Sequence, residues 1–249
     1  MKIQVLSDLH REFSRYEITK TDSDVIVLAG DIDVGSAGIE WAKTLEKPVI
    51  YVAGNHEYYH GDIDFTLADM REKAAASNVH FLEQDAVTID GVTFLGCTLW
   101  TDYEVFGEHM QAACMKLAER SMNDHRIITK GSERFLPKDA RAINLTSKAW
   151  LKEHLESAKG SSVVVTHHLP LLKCTDPRYM HDLLTGSFAS ELNHLMDKAD
   201  AWIYGHTHDS HSFQAGKTHV LSNPRGYSRD PAGRENQQFK DDFVIDIVK

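Results

Sequence analysis

The sequence predicts an α/β fold around a parallel or mixed sheet. Short continuous apolar runs at residues 24–29 and 49–53 have the composition of strands buried on both faces. Helical spacing lies between such runs, most plainly at Ile63, Leu67, Met70 and Ala74. Strands that alternate with helices favour parallel pairing. The 249 residues, 42% hydrophobic and 26% charged, suit one large globular domain and exclude disordered and fibrous classes.

The elements follow in order. Residues 2–6 form an apolar strand that runs into Ser7 and Asp8. The strand over 24–29 ends at Gly30-Asp31, and a short helix over 39–45 is stopped by Pro48. The strand over 49–53 ends at Gly54-Asn55-His56 and leads to a helix over 62–76. Short strands over 79–82, 86–89 and 92–95 follow, the last two joined by a turn at Asp90-Gly91. Residues 100–141 show no clear period and read as an irregular insertion. A helix over 143–155 has Ile143, Leu145, Ala149 and Trp150 near one face. The strand over 162–165 ends at Thr166-His167-His168. Phe188, Leu192, Leu195 and Met196 are spaced as a helix, and the strand over 201–204 ends at Gly205-His206-Thr207-His208. Strands over 211–214, 218–221 and 243–248 complete one domain spanning 1–249.

Composition removes several classes. Asp plus Glu number 37 against 27 Lys plus Arg, a net charge of −10, which opposes binding to nucleic acid or to an anionic membrane surface. The longest apolar runs fall far short of the ~20 residues that span a bilayer, and Asp8 interrupts any signal-peptide core. Three widely spaced cysteines, Cys97, Cys114 and Cys174, build neither a disulfide framework nor a thiolate zinc site. A cytoplasmic location is expected. The 15 histidines stand out, because several sit beside Asp, Asn or Gly at strand ends.

Those strand ends carry the chemistry. Asp8-Leu9-His10, Gly30-Asp31, Gly54-Asn55-His56, Thr166-His167-His168 and Gly205-His206-Thr207-His208 each follow a buried apolar run. Sites in open α/β sheets form outside the carboxyl ends of the strands, so corners distant in sequence can converge. Asp-x-His and His-x-His put two donors on one side of an extended segment. Carboxylate, imidazole and amide oxygen without thiolate suit Mn, Fe, Zn or Ni as divalent ions.

With Glu57 after Asn55-His56, these motifs in this order make the sequence resemble the calcineurin-like metallophosphoesterase superfamily, from Asp8 to His208. The resemblance implies a four-layer αββα sandwich of two mixed β-sheets. It implies two divalent ions per chain, one held by Asp8, His10, Asp31 and His208, the other by Asp31, Asn55, His167 and His206. Asp31 then bridges the ions, which share a hydroxide that attacks phosphorus in line. His56 matches the catalytic histidine, near the leaving oxygen. His167 is placed as the ligand, with His168 as a supporting or substrate-side group, although the family's pattern admits either of the pair. Two departures argue against the Ser/Thr protein phosphatase branch. Asp33 stands one residue early for the second carboxylate of the Gly-Asp-x-x-Asp pattern that many members carry, and Ala53 stands where that branch has Arg.

The resemblance implies hydrolysis of small phosphodiesters, with phosphomonoesters also accepted. A phosphomonoesterase or phosphoprotein phosphatase is the alternative. A silent binding scaffold of the same fold is a third reading, disfavoured because no ligand is missing. A small phosphate ester is the expected partner, with no stable nucleic-acid partner and no membrane. Between Arg126 and Lys148 there are six basic residues against two acidic ones. That insertion, about residues 100–141, is expected to cover the metals as a partial lid. Tyr103 and Arg126 within it, Lys130 and Arg134 beside them, and Arg225 from the turn-rich 223–227 stretch are the candidate substrate contacts. A solvated surface is the plainer reading of the same basic residues.

Overall fold

The strands alternate in which face they bury, and that alternation builds the layers. In the computed structural model, which describes residues 1–229 and 233–248 apart from the Arg229 side chain, β1 (Lys2–Leu6) and β2 (Val25–Ala29) pair in parallel. Ile3, Val5, Val25, Val27 and Ala29 point to an inner core, while Leu6, Ile26 and Leu28 point to an outer one. Both faces are covered, which is why the runs read as continuously apolar.

β3 (Val49–Val52) and β4 (Val79–Phe81) extend this sheet in parallel. A second sheet begins with β5 (Asp85–Ile89) and β6 (Val92–Cys97). β7 (Thr129–Lys130) and β8 (Glu133–Arg134) form a small separate hairpin. The second sheet continues with β9 (Ser161–Thr166), β10 (Ala201–Tyr204), β11 (His211–Ala215) and β12 (Thr218–Ser222). β13 (Ser228–Arg229) and β14 (Gly233–Arg234) pair with each other, and β15 (Val244–Asp246) returns antiparallel to β1. The sheet orders are β15-β1-β2-β3-β4 and β11-β12-β10-β9-β6-β5, both mixed.

The sheets face each other across Val5, Val27 and Val52 on one side and Phe94, Val163, Val165 and Ile203 on the other. Helices α1 (Ala37–Ala42) and α2 (Ile63–Ala74) cover the first sheet's outer face. The Asp62 carboxylate caps α2, accepting from the backbone N–H groups of Asp64 and Phe65 at 3.1 and 2.9 Å.

The region after β6 is not the structureless insertion that its missing period predicts. It holds α3 (Glu108–Ser121), α4 (Asp124–Ile127) and the start of α5 (Pro137–Ser157), which covers the second sheet. α5 begins well before residue 143, with proline in its first turn and Asp139 accepting from the Leu136 N–H at 3.0 Å. Its buried face also differs from the predicted one: Asn144, Ser147, Leu151 and Leu155 are inside, and Leu145 is exposed. The helix predicted through Phe188–Met196 is a 3₁₀ turn at Asn193–Leu195. The chain there spends its backbone groups on residues 169 and 170, with Leu169 N donating to Phe188 O and Ser190 N to Leu169 O. An α-helix would need those same groups. The three cysteines are buried and unpaired, as small core residues. None of the described helices is long and apolar enough to cross a membrane.

Candidate metal centre

The carboxyl ends of β1, β2, β3, β9 and β10 meet along one edge of the sandwich, where an isolated parallel bridge between Ser7 and Pro224 ties the two sheets. Five candidate ligands there have left-handed backbone: Asp8 (φ 50°), His10 (46°), Asp31 (54°), His206 (77°) and His208 (54°). Each such residue costs roughly 1–3 kcal/mol, and strain of this kind collects at functional sites.

Hydrogen bonds hold the strained corners. The N–H groups of Asp8 and His10 donate to Gly30 O and Asp31 O at 2.9 and 3.0 Å. The buried Glu57 carboxylate accepts from Asp31 N (3.0 Å), Ile32 N (2.8 Å), Gly54 N (2.7 Å) and the Tyr51 hydroxyl (2.8 Å). Burial first, and then the Asp31 charge, push Glu57 above the usual carboxylate range. Two glycines are required by close approach. A Cβ on Gly54 would overlap Asp31 Oδ1, and one on Gly205 would lie 2.6 Å from Asp8 Oδ2.

The side chains divide into two halves about Asp31. In the first half, His10 Nε2 and His208 Nε2 face each other at 3.0 Å. Asp8 Oδ1 lies 3.6 Å from His208 Nε2, and Asp31 Oδ2 lies 3.8 Å from His10 Nε2. In the second half, His167 Nε2 meets His206 Nδ1 and Asn55 Oδ1, both at 3.1 Å, and Asp31 Oδ1 at 3.4 Å. Asn55 presents its oxygen because its amide nitrogen donates to Tyr59 Oη at 3.0 Å and Asp124 Oδ1 at 2.9 Å.

This donor set fits divalent cations. Imidazole nitrogens at 3.0–3.1 Å in each half repel through their lone pairs unless a proton or a cation sits between them. Asp8 Oδ2 and His206 Nε2 are buried without a hydrogen-bond partner among the described residues. Triads that can hold an ion are Asp8–His10–His208 and Asp31–His167–His206, with His10–Asp31–His56 also close enough. In the protein alone, burial lowers His167, but Asp31 and Asp8 outweigh it and raise the ring to about 10. His168 falls to about 3 through burial and the neighbouring His167.

His56 sits at the head of a 3₁₀ turn after β3, with its ring 4.1 Å from Tyr59. Its Nδ1–H donates to Glu12 at 2.9 Å, and its Nε2 lies 3.3 Å from Tyr227 Oη. Burial opposes charge on this ring, yet Asp31 and Glu12 raise it to about 8. A cavity of about 400 Å³ opens beside Asp31, Asn55, His56, His206 and His208. Met122, Tyr179, Leu184 and Phe188 line it on the apolar side, together with Asp182.

The predicted substrate contacts are not brought to this cavity. Tyr103 is buried in the core, its hydroxyl against His125 Nε2 at 3.2 Å. Arg126 is exposed and folds back on the Arg120 carbonyl. Arg225 is buried, donating to Leu9 O at 2.9 Å and stacking on Tyr16, so it pins the loop after β1. His168 lies behind His206, with ring centres 4.3 Å apart, and donates to Thr98 O at 3.3 Å. The insertion's basic groups meet acids of their own region instead: Lys130 with Asp139, Arg141 with Glu104, and Lys148 with Asp102. The insertion does reach the site, but through Ser121, Met122, Asn123 and the Asp124 carboxylate. Asp33 pairs with Arg11 at 3.1 Å, away from His56.

Sequence reasoning missed Glu12, Tyr59, Asp124, Tyr227 and Glu235. Glu12 was within reach, because the two-residue spacing that links Asp8 to His10 leads on to it. Asp124 and Glu235 arrive from segments with no fixed spacing to the strand ends.

Comparison with known proteins agrees with this architecture. Residues 1–210 match the family described as calcineurin-like phosphoesterase. An uncharacterized protein of Acanthamoeba polyphaga mimivirus is 25% identical across 98% of this chain and 96% of its own length. A UPF0046 protein of Caenorhabditis elegans is 33% identical over 39% of this chain and 38% of its own. Among solved structures, a phosphopantetheinyl hydrolase from Mycobacterium tuberculosis superposes with a TM-score of 0.69 at 19% identity, covering 96% of this chain and 98% of that one, a likeness of fold.

Proposed function

This chain belongs to the calcineurin-like phosphoesterase family and is a metal-dependent phosphoester hydrolase, and from that premise we propose that it uses two divalent ions to cleave small phosphodiesters, with phosphomonoesters as slower substrates. The observation that carries the reading is Asp31, whose two oxygens face two separate sets of donors. Asp8, His10 and His208 would hold one ion with Asp31, and Asn55, His167 and His206 the other. Such ions would supply positive charge to the phosphoryl oxygens and lower the pKa of bound water. His56, protonated on both nitrogens because its pKa is raised to about 8, directs Nε2–H toward the cavity and would deliver that proton to the leaving oxygen, the ring keeping its Nδ1–H on Glu12. Tyr227, beside that nitrogen, keeps the ring from swinging away.

The cavity suits a small molecule better than a folded phosphoprotein, since about 400 Å³ is the size of an ordinary ligand site. Among the described residues its lining has no Lys or Arg, while Met122, Leu184 and Phe188 offer apolar contact. That favours an ester whose organic part is uncharged and partly apolar. The insertion acts here as one wall of the cavity, its apolar Met122 rather than its basic residues meeting the ester.

The test combines metal analysis with kinetics. Protein purified without chelator should carry close to two ions per chain. kcat/KM should be higher for diesters than for monoesters of the same alcohol, and higher for neutral organic groups than for anionic ones. One ion per chain in fully active protein defeats the two-ion reading, and a preference for monoesters moves the assignment to a phosphomonoesterase.

A further inference from the structure

Glu12 lies two residues beyond His10, and one of its oxygens serves two rings. Oε1 accepts from His10 Nδ1 at 3.0 Å and from His56 Nδ1 at 2.9 Å. An ionised carboxylate oxygen only accepts, so both rings carry hydrogen on Nδ1. That leaves each Nε2 directed the other way. His10 Nε2 faces His208 Nε2 at 3.0 Å, inside the first half of the metal centre. His56 Nε2 lies 3.9 Å from Asp31 Oδ2 and 3.3 Å from Tyr227 Oη, on the cavity. The two rings pack edge to face with centres 4.4 Å apart, so turning one displaces the other. The Glu12 side chain is only 14% exposed, which holds it in this geometry. Asp31 approaches the same two rings from their Nε2 side, at 3.8 and 3.9 Å, so Glu12 is the carboxylate that meets their Nδ1 side.

We infer that Glu12 is a positioning residue that fixes the orientation and the Nδ1–H tautomer of His10 and His56 together. A single carboxylate thereby aims one nitrogen into the first half of the candidate metal centre and a proton-transferring nitrogen at the cavity beside it. Its action through His56 rests on the phosphoesterase reading above, whereas its action through His10 rests on metal binding alone. Carboxylates behind ligating histidines are a general means of fixing tautomer and ring angle, and losing one typically costs about 10–100-fold in affinity or activity.

The experiment uses the full chain as wild type, Glu12→Ala, Glu12→Gln, His56→Ala and the Glu12→Ala/His56→Ala double variant. Zinc affinity is measured by competition with a chelator. kcat and KM are measured at saturating zinc for esters with leaving groups of low and high pKa. Glu12→Ala is expected to weaken zinc binding and to lower kcat about 10–100-fold with KM little changed. The loss should be greatest for the poorest leaving group. Glu12→Gln keeps an acceptor oxygen and should fall between wild type and Glu12→Ala, which separates positioning from misfolding. In the His56→Ala background, Glu12→Ala should cost less than about threefold further, because residues acting as a unit are non-additive. Fully multiplicative kcat losses in the double variant, or a Glu12→Ala protein with unchanged zinc affinity and kinetics, would overturn the inference. A wild type that binds zinc but cleaves no ester refutes the phosphoesterase reading instead, and the zinc titration then decides the His10 half alone.

Discussion

The two halves of the candidate metal centre each set two histidines and Asp31 beside one further oxygen donor, Asp8 or Asn55, but differ in what stands behind them. Around Asp8, His10 and His208, the imidazoles donate outward to carboxylates, Glu12 at 3.0 Å and the half-exposed Glu235 at 2.6 Å. Around Asn55, His167 and His206 the supports are buried: His167 Nδ1–H donates to the Ala29 carbonyl at 3.0 Å, and Asp124 grips the Asn55 amide at 2.9 Å. Both halves thus have a carboxylate behind them, but the first half's support is partly wet through Glu235, and the second half's is buried and fixed by the sheet and the insertion. A carboxylate raises ligand basicity but, near water, holds less firmly than a buried dipole. If each half holds an ion, as proposed, the contrast implies that the first would exchange it more readily.

The largest test of this division is Asp31→Asn, which touches both halves at once. It should remove both ions, as read by metal analysis. Losing several kcal/mol of charge stabilisation should lower kcat/KM by about 10³-fold or more. One ion retained at full occupancy would show that the halves do not share this carboxylate.

Next in size are the supports. Asp124→Ala frees the Asn55 amide and the Tyr59 hydroxyl, and should weaken the second-half ion by about 10–100-fold while sparing the first. Glu235→Ala should weaken the first-half ion by less than about tenfold, because an exposed pair contributes little. Stepwise chelation followed by metal-sensitive spectroscopy reads both. Equal effects of the two substitutions would erase the contrast.

A smaller effect belongs to the cavity wall. Met122→Ala and Leu184→Ala should each raise KM several-fold for esters with apolar groups, since contact with part of an apolar side chain is worth about 1 kcal/mol, and leave metal content unchanged. Unchanged KM across all esters would remove this wall from substrate binding.

The smallest effect is a calibration outside both halves. Glu83 is buried, accepting from Thr98 N at 2.8 Å and Thr98 Oγ1 at 2.6 Å, and burial raises it above its ordinary value. A carboxyl raised in the folded state contributes its stability below the unfolded pKa and loses it as pH rises through the folded one. Relative to wild type, Glu83→Gln should therefore gain Tm as pH goes from 4 to 7, with metal content unaffected. A difference in Tm that does not change with pH would contradict this.

What was legible in the sequence follows from how each part is specified. Asp8, His10, Asp31, Asn55, His167, His206 and His208 come together because each lies one to four residues past a buried strand, and strand direction is encoded locally by apolar runs. Asp124 depends on how α4 docks, a tertiary event without a local signal. α3 escaped the search for periodicity because its sequence, with Met110, Ala112, Ala113, Cys114, Met115, Leu117 and Ala118, is apolar nearly all round, and only Cys114 and Ala118 are buried. Helix propensity would have found it, since it is rich in Ala, Met, Leu, Glu and Lys. Arg126, Lys130 and Tyr103 do not reach the cavity because each is satisfied by its own surroundings, Arg126 by the Arg120 carbonyl, Lys130 by Asp139 and Tyr103 by His125, contacts that a count of charge and aromaticity does not show.

The pairing of β1 has a consequence for how the protein is made. β1 carries Asp8 and His10 just past its end, yet its sheet neighbours are β2 and β15, and its companions at the first metal position include His208. A ribosome releases residues in order, at about 5–20 per second, and domains tend to fold as their segments emerge. The earliest ligands of this chain therefore wait, through most of its synthesis, for partners not yet translated. Non-local pairings of this kind slow folding. Until His206 and His208 leave the ribosome, the nascent chain offers Asp31 with only parts of the two candidate donor sets. An ion held jointly by Asp8, His10 and His208 would thus be captured only after residue 208 has emerged, so its binding would report the completed docking of β10 rather than guide the folding of β1.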